Sequence, residues 1–411
     1  MKKDIRAKGT FEQQVANKER QSKQRAQRLG AGEQYRKPAR QPRIVQVSGK
    51  PPLPGIPERT VGIDLGDQFC AWHQVEREGN TTAEGRVPTA ELGEWLRQLA
   101  PSRVVMETGT HVNWASREAI AAGHEVYAAN AREFRAIYKN PNKSDRVDAA
   151  MLAEMGRVSL RLLYPVELRA VEVEADEAIL QARDVLVQAR TKLINSARNQ
   201  VKSRGGRLPS CDADCFHRQA GEAVPEDLRA AIDPLIRMAG KLTAEIQRYD
   251  RKLERLAERK YPETALLKQV AGVGTVTALA YRLKVADQQR FAKSRDVGPY
   301  LGLTRRRDQS GGDDPELGIS KAGDDYLRRL LVGSAHYILG PFGPDTDLRR
   351  FGLRLMGEEE PGRKNKKPSK GRKKLAVVAV ARKLAVLLHA LWTSGELYEP
   401  LRNSQPATAQ T

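Results

Sequence analysis

The chain has 411 residues and a formal net charge of +20, from 71 Lys and Arg against 51 Asp and Glu. That length predicts two or three domains with real cores, and basic residues gathered in clusters predict a partner rich in phosphate. No apolar run of spanning length and no signal peptide is read, which argues against a membrane, and three cysteines fit a reducing cytosol rather than a disulfide framework.

Residues 1 to 57 are rich in Lys, Arg, Gln and Ala and low in apolar content, predicting a disordered basic arm that ends in the stiff spacer Pro51-Pro52-Leu53-Pro54-Gly55-Ile56-Pro57. Residues 58 to 165 alternate two periodicities. Strands are predicted over Thr60–Leu65, Cys70–Val75, Arg103–Glu107 and Glu125–Ala128, and helices over Thr89–Leu99, His111–Ala122, Asn130–Tyr138 and Asp145–Met155. This order predicts an α/β domain with a mixed sheet. Residues 166 to 262 predict an all-α hairpin of two long charged helices, over 170–205 and 225–260, broken by Gly205-Gly206 and Pro209. The second carries Leu235, Met238, Leu242, Ile246, Tyr249, Leu253 and Leu256 at steps of three and four, close to a coiled-coil stripe. A linker packed on the body and a projecting dimerisation hairpin both fit that pattern. Cys211, Cys215 and His217 in the break lack the fourth ligand that a zinc site needs.

Residues 263 to 398 predict a further, mainly helical domain. Gly272 and Gly274 fall in an apolar-Gly-apolar-Gly turn leading into a helix, the pattern of a helix-hairpin-helix whose backbone N–H groups approach a phosphate. Pro361–Lys374 reads as a flexible basic run, Leu375–Leu391 as a core helix and 399–411 as a disordered tail.

Four acids stand out in the first domain. Asp64 follows one strand-like run and Glu107 another, while Asp145 and Asp148 lie three apart, on one face of a helix. Carboxylates are the hard oxygen ligands that Mg²⁺ prefers, and paired ions of this kind serve in-line attack at phosphodiesters. Each acid also has an ordinary reading. Asp145 fits a helix N-cap with Asp148 three residues on, Asp64-Leu65-Gly66 a strand-to-turn junction, and Glu107-Thr108-Gly109 the start of a loop. Asp67, in the first turn, competes for one ligand position.

In the last domain Ser310 lies in the Gly-rich loop Gln309-Ser310-Gly311-Gly312. Taken alone it is a loop serine with no adjacent His as base. Arg305, Arg306 and Arg307 before it suit phosphate clamping, and Lys321, Arg328 and Arg329 add cations around the next helix.

Together these motifs resemble the insertion-sequence transposases of the IS-110 type, or DEDD transposases, over residues 59 to about 395. The resemblance implies a RuvC-like, ribonuclease-H-like first domain with Asp64, Glu107, Asp145 and Asp148 as its Mg²⁺-binding set, Mn²⁺ being a substitute. It also implies a second transposase domain with Ser310 as nucleophile. It further implies donor and target DNA, a guide non-coding RNA, dimers pairing into tetramers, and a bacterial cytoplasmic, nucleoid-associated setting. Arg305 departs from the family, which often has Pro there. Besides a catalytically inert nucleic-acid-binding relic, two other readings stay open at this point. One is a RuvC-like nuclease that uses water instead of Ser310. The other is an actin-like sugar or acetate kinase, whose first strand is similar but whose later phosphate-binding repeat is missing.

Overall fold

The computed structural model describes residues 57–130, 144–306, 317–357 and 369–403. The basic arm, most of the spacer, residues 131–138 of the helix expected over Asn130–Tyr138, Arg307, Ser310, the start of the basic run over 361–374 and the end of the tail lie outside these residues.

The first part is a five-stranded sheet. Its strands are β1 (Arg59–Asp64), β2 (Phe69–Glu76), β3 (Thr81–Pro88), β4 (Arg103–Glu107) and β5 (Glu125–Ala129), in the order β3-β2-β1-β4-β5. The pairs β1/β2 and β2/β3 are antiparallel, and β1/β4 and β4/β5 are parallel, so the sheet is mixed as expected. On one face Val61, Ile63, Val104 and Met106 pack with Leu92 and Leu96 of α1 (Leu92–Gln98) and with Val112, Ala115 and Ala119 of α2 (Val112–Ala121). On the other face Val105, Tyr127 and Ala129 pack with Leu152 of α3 (Asp145–Val158).

Strand β3 was absent from the sequence reading. Within it only Val87 is buried, so the apolar alternation that announces a half-buried strand is missing. Polar cross-strand contacts hold it instead: Gln74 Nε2 donates to Thr82 Oγ1 at 2.8 Å, and His73 Nδ1 lies 3.2 Å from Glu84 Oε2.

Two long helices follow, α4 (Val171–Ser203) and α5 (Arg229–Lys260). Their cross-contacts run in opposite order along the two chains, Arg183 with Asp250, Arg190 with Thr243 and Lys260 with Asp176, so the hairpin is antiparallel. The buried face of α5 differs from the expected stripe. Ile232, Ile236, Ala239, Thr243, Ile246, Leu253 and Ala257 are buried, whereas Met238 is 46 % exposed. Small residues at the seam let the helices approach closely, and a count of large apolar residues passes over them. At the far end Phe216, Ala220 and Val224 of the connecting segment close a separate small core against Ile194, Ala197 and Val201. Cys211, Cys215 and His217 belong to this cap; both thiols are free, and His217 packs against Gly240.

The last part is helical: α6 (Thr275–Val285), α7 (Asp325–Leu339), α8 (Asp347–Met356) and α9 (Lys370–Ser394). Helix α9 runs through its core, burying Val377, Val380, Ala381, Leu384, Ala385 and Leu388. It begins inside the stretch expected to be a flexible basic run, with Ser369 as N-cap accepting from the Arg372 N–H. By length and composition α9 could cross a membrane, which corrects the reading that no run is long enough. Its packing here is that of a core helix. The base of the hairpin joins the same core through Leu180, Leu253 and Tyr261.

Candidate active site

Strands β1 and β4 run side by side in parallel with Ile63 opposite Met106, so Asp64 and Glu107 end neighbouring strands at the same edge. Side chains alternate along a strand, which places Asp64 on the face of Gly62 and Glu107 on the face of Val105. That face is covered by α3. A Cβ on Gly62 would stand 2.1 Å from the Ala149 carbonyl oxygen, and one on Gly156 would stand 2.3 Å from Val105 Cγ2. Arg103 donates to the Gly156 carbonyl at 3.0 Å from the same side.

The N-cap of α3 is Ser144, whose Oγ accepts from Val147 N–H at 3.4 Å. The capping alternative for Asp145 therefore fails, and both aspartates belong to the first turn, where the helix dipole favours negative charge. Asp148 is 5 % exposed and directly precedes Ala149, the residue lying on Gly62. Asp64, Glu107 and Asp148 thus share one corner of the sheet. Asp145 stays at its rim, with its side chain 65 % exposed and Arg86 Nη2 at 3.5 Å from Oδ2. Among the described residues no three His, Cys, Asp or Glu side chains stand close enough together to hold an ion.

Beside these acids is a charged cluster that the sequence did not announce. Glu84 on β3 receives His73 at 3.2 Å and Arg146 at 2.6 Å. With Arg86 meeting Asp145, the β2–β3 hairpin grips the first turn of α3 at two points. Nothing in the sequence signalled this, because the strand carrying Glu84 and Arg86 has no apolar alternation.

The described residues on either side of the segment that contains Ser310 form a short antiparallel ladder. Arg305 bridges Ile319, Arg306 N–H donates to the Gly318 carbonyl at 3.0 Å, and Ser320 N–H donates to the Thr304 carbonyl at 2.8 Å. Residues 307–316 connect its two sides. The base needs glycine twice. Gly302 and Gly323 have φ of 65° and 72°, and added Cβ atoms would stand 2.3 Å from the Ala322 N and 2.0 Å from the Tyr300 O. Lys321 also takes a left-handed conformation, with φ of 55°, and its N–H donates to the Gly302 carbonyl at 3.1 Å.

Arg328 is buried and its guanidinium faces inward, donating to the Leu301 carbonyl at 3.1 Å, the Ala322 carbonyl at 2.7 Å and Asp325 at 2.9 Å. It holds both ends of the ladder segment. Arg329 pairs with Asp184 on α4 at 2.8 Å and with Asp325 at 3.0 Å. The hydrogen bond from Arg329, then that from Arg328, holds the Asp325 carboxyl below the usual range. Gly272, with φ of 84°, packs against Ser334 and Tyr337 of α7, while Gly274 caps α6 and faces open space.

The base of the hairpin is tied to the last helical part by buried charges. Lys284 on α6 reaches Glu177 at the base of α4, which also receives Arg169. At 2.8 Å Lys284 also meets Asp324, whose other carboxylate oxygen caps α7 by accepting Leu327 N–H at 2.7 Å.

Comparison with known proteins matches two parts of the chain. A family profile described as "Transposase IS116/IS110/IS902 family" matches residues 264–344, and a DEDD transposase profile of IS110 type matches residues 61–204. The transposase of insertion sequence element IS1328 from Yersinia enterocolitica is 30 % identical over 283 residues, covering 67 % of this chain and 82 % of that one. The transposase of insertion sequence element IS1111A from Coxiella burnetii is 28 % identical over 348 residues, covering 83 % of this chain and 91 % of its own. These matches show that this chain belongs to the IS116/IS110/IS902 family of transposases.

Proposed function

We propose that this transposase cuts and rejoins DNA at the ends of an insertion sequence through a serine nucleophile assisted by the acidic corner. The observation that supports the reading is that Asp64 and Glu107 end neighbouring parallel strands at one edge of the sheet, with buried Asp148 on the helix that covers the same face. Their donor set is entirely carboxylate, which suits Mg²⁺ or Mn²⁺. Asp64, Glu107 and Asp148 would hold the ion only by drawing closer together than they stand here, with Asp145 joining from the rim by leaving Arg86. Such an ion, when bound, supplies positive charge at the phosphate being cut.

The chemistry is a transesterification. Ser310 Oγ bonds to phosphorus, the bond to one deoxyribose oxygen breaks, and the proton lost by the serine ends on that oxygen. Rejoining reverses the exchange with a new hydroxyl. Arg305, Arg306, Arg307 and Lys321 contact the backbone around the serine, while Arg328 positions the loop from inside. A guide RNA supplies sequence recognition by pairing, and the protein reads shape and charge. Dimers formed through the hairpin assemble into tetramers.

Asp148→Asn tests the acidic half. Strand cleavage is expected to fall on the order of 100-fold or more, with DNA binding in EDTA unchanged. Cleavage at the parental rate in that variant would remove the acids from the mechanism.

A further inference from the structure

A cavity of about 1060 Å³ opens beside the ladder, between its strands, α8, α9 and the segment after α9. Its walls combine two chemistries. Leu303, Ile319, Leu348 and Phe351 supply apolar surface. Arg295, Arg306, Arg382 and Lys383 supply positive charge, and none of these four has an ion pair with a carboxylate among the described residues. Elsewhere arginines are commonly paired, as Arg183, Arg190, Arg282, Arg328 and Arg350 are. Two acids also line the cavity, and one of them, Asp347, is engaged by the Asn403 backbone and side-chain N–H groups at 2.8 and 3.1 Å. The four cations outnumber the two acids and pair with neither, and gathering like charges costs folding energy, so the arrangement points to an anion from outside.

The apolar walls narrow the choice of anion. Paired DNA presents phosphates outward and keeps its bases stacked inside, so it has nothing to place against Leu303 or Phe351. An unpaired nucleotide offers a phosphate and a flat ring together. The Lys383 ammonium lies 3.8 Å from the centre of the Phe351 ring, so a cation and an aromatic surface stand within the reach of one nucleotide. The volume is ample for that group. Arg305 and Arg306 belong both to the ladder and to the cavity lining, so a nucleotide seated there touches the ladder a few residues before Ser310 in sequence.

We propose that this cavity takes an unpaired nucleotide of the nucleic acid on which the protein acts, its phosphate on Arg306, Arg382 and Lys383 and its base on Phe351. The proposal deepens the reading of the serine half, and its test needs no cleavage. Full-length protein in EDTA is titrated with a 12-nucleotide single strand carrying 2-aminopurine, as DNA and as RNA, and with the matching duplex. Parental protein is expected to prefer the single strand and to quench the fluorophore. Arg382→Gln with Lys383→Gln, both exposed positions, is expected to weaken single-strand binding about tenfold and duplex binding much less. Phe351→Leu keeps the wall apolar. It is expected to lose the quenching and about fivefold or more of single-strand affinity. Tighter binding of the DNA or of the RNA strand identifies the source. Equal losses for single strand and duplex, or unchanged quenching in Phe351→Leu, would overturn the proposal. Cleavage requiring Ser310 can fail independently of either result.

Discussion

Gly62 shows how much of the acidic corner depends on one missing side chain. The Ala149 carbonyl of α3 occupies the space where a Cβ would stand, at 2.1 Å, and α3 delivers Asp148 to the strand ends. Gly62→Ala is therefore expected to push α3 off β1, costing about 3 kcal/mol and lowering both the melting temperature and strand cleavage. An unchanged melting temperature would mean that the helix does not rest on the strand. At this scale the sequence was informative about type and position. Asp64 and Glu107 end apolar runs, and the three-residue spacing of Asp145 and Asp148 puts both in one helical turn. It could not show that Asp148 is buried while Asp145 faces Arg86, because that contrast comes from a partner 59 residues away. Nor could it show that Arg328 points inward, since the carbonyls of Leu301 and Ala322 that draw it in carry no sequence signature.

Elements were legible wherever their periodicity was strong. The central strands, the two long helices and the core helix α9 follow from apolar spacing. Strand β3 does not, because polar pairing with β2 holds it, and the seam of α5 was misplaced because Ala239, Thr243 and Ala257 fill it. Helix α9 also carries a titratable group. His389 is buried, with Nε2 at 3.1 Å from the Gln288 carbonyl oxygen and Nδ1 at 3.0 Å from Ser294 Oγ. That geometry suits a neutral ring donating through Nε2, and burial holds its pKa below the ordinary 6.5. Above pH 6.5 the ring is neutral in both the folded and the unfolded chain. As pH falls below that value the unfolded chain takes up a proton first, so stability is lost down to the depressed folded pKa. The melting temperature is expected to drop between pH 7.5 and 5.5, and the drop to shrink in His389→Phe. An equal drop in both proteins would assign the effect elsewhere.

Across the whole molecule, buried charge ties the hairpin to the last helical part. Lys284, 6 % exposed, joins Glu177 of the hairpin to Asp324 at the cap of α7, next to the ladder of the serine loop. Lys284→Ala leaves two carboxylates without their cation and is expected to destabilise the protein by about 3–5 kcal/mol, measured by denaturant unfolding. A loss under about 1 kcal/mol would show that the network contributes little. The net charge of +20 sets a second expectation. Affinity for DNA should fall by about 10³-fold between roughly 50 and 200 mM salt, as bound counterions are released. A flat salt response would contradict an electrostatic interface. The central claim joins a serine to the acidic corner, and trapping the DNA–protein intermediate tests it most directly. Denaturing gels of parental protein with a cleavable end substrate and Mg²⁺ should show a covalent adduct, mapped to Ser310 by mass spectrometry and absent in Ser310→Ala. Strand exchange in Ser310→Ala at the parental level, or an adduct on another residue, would contradict the account.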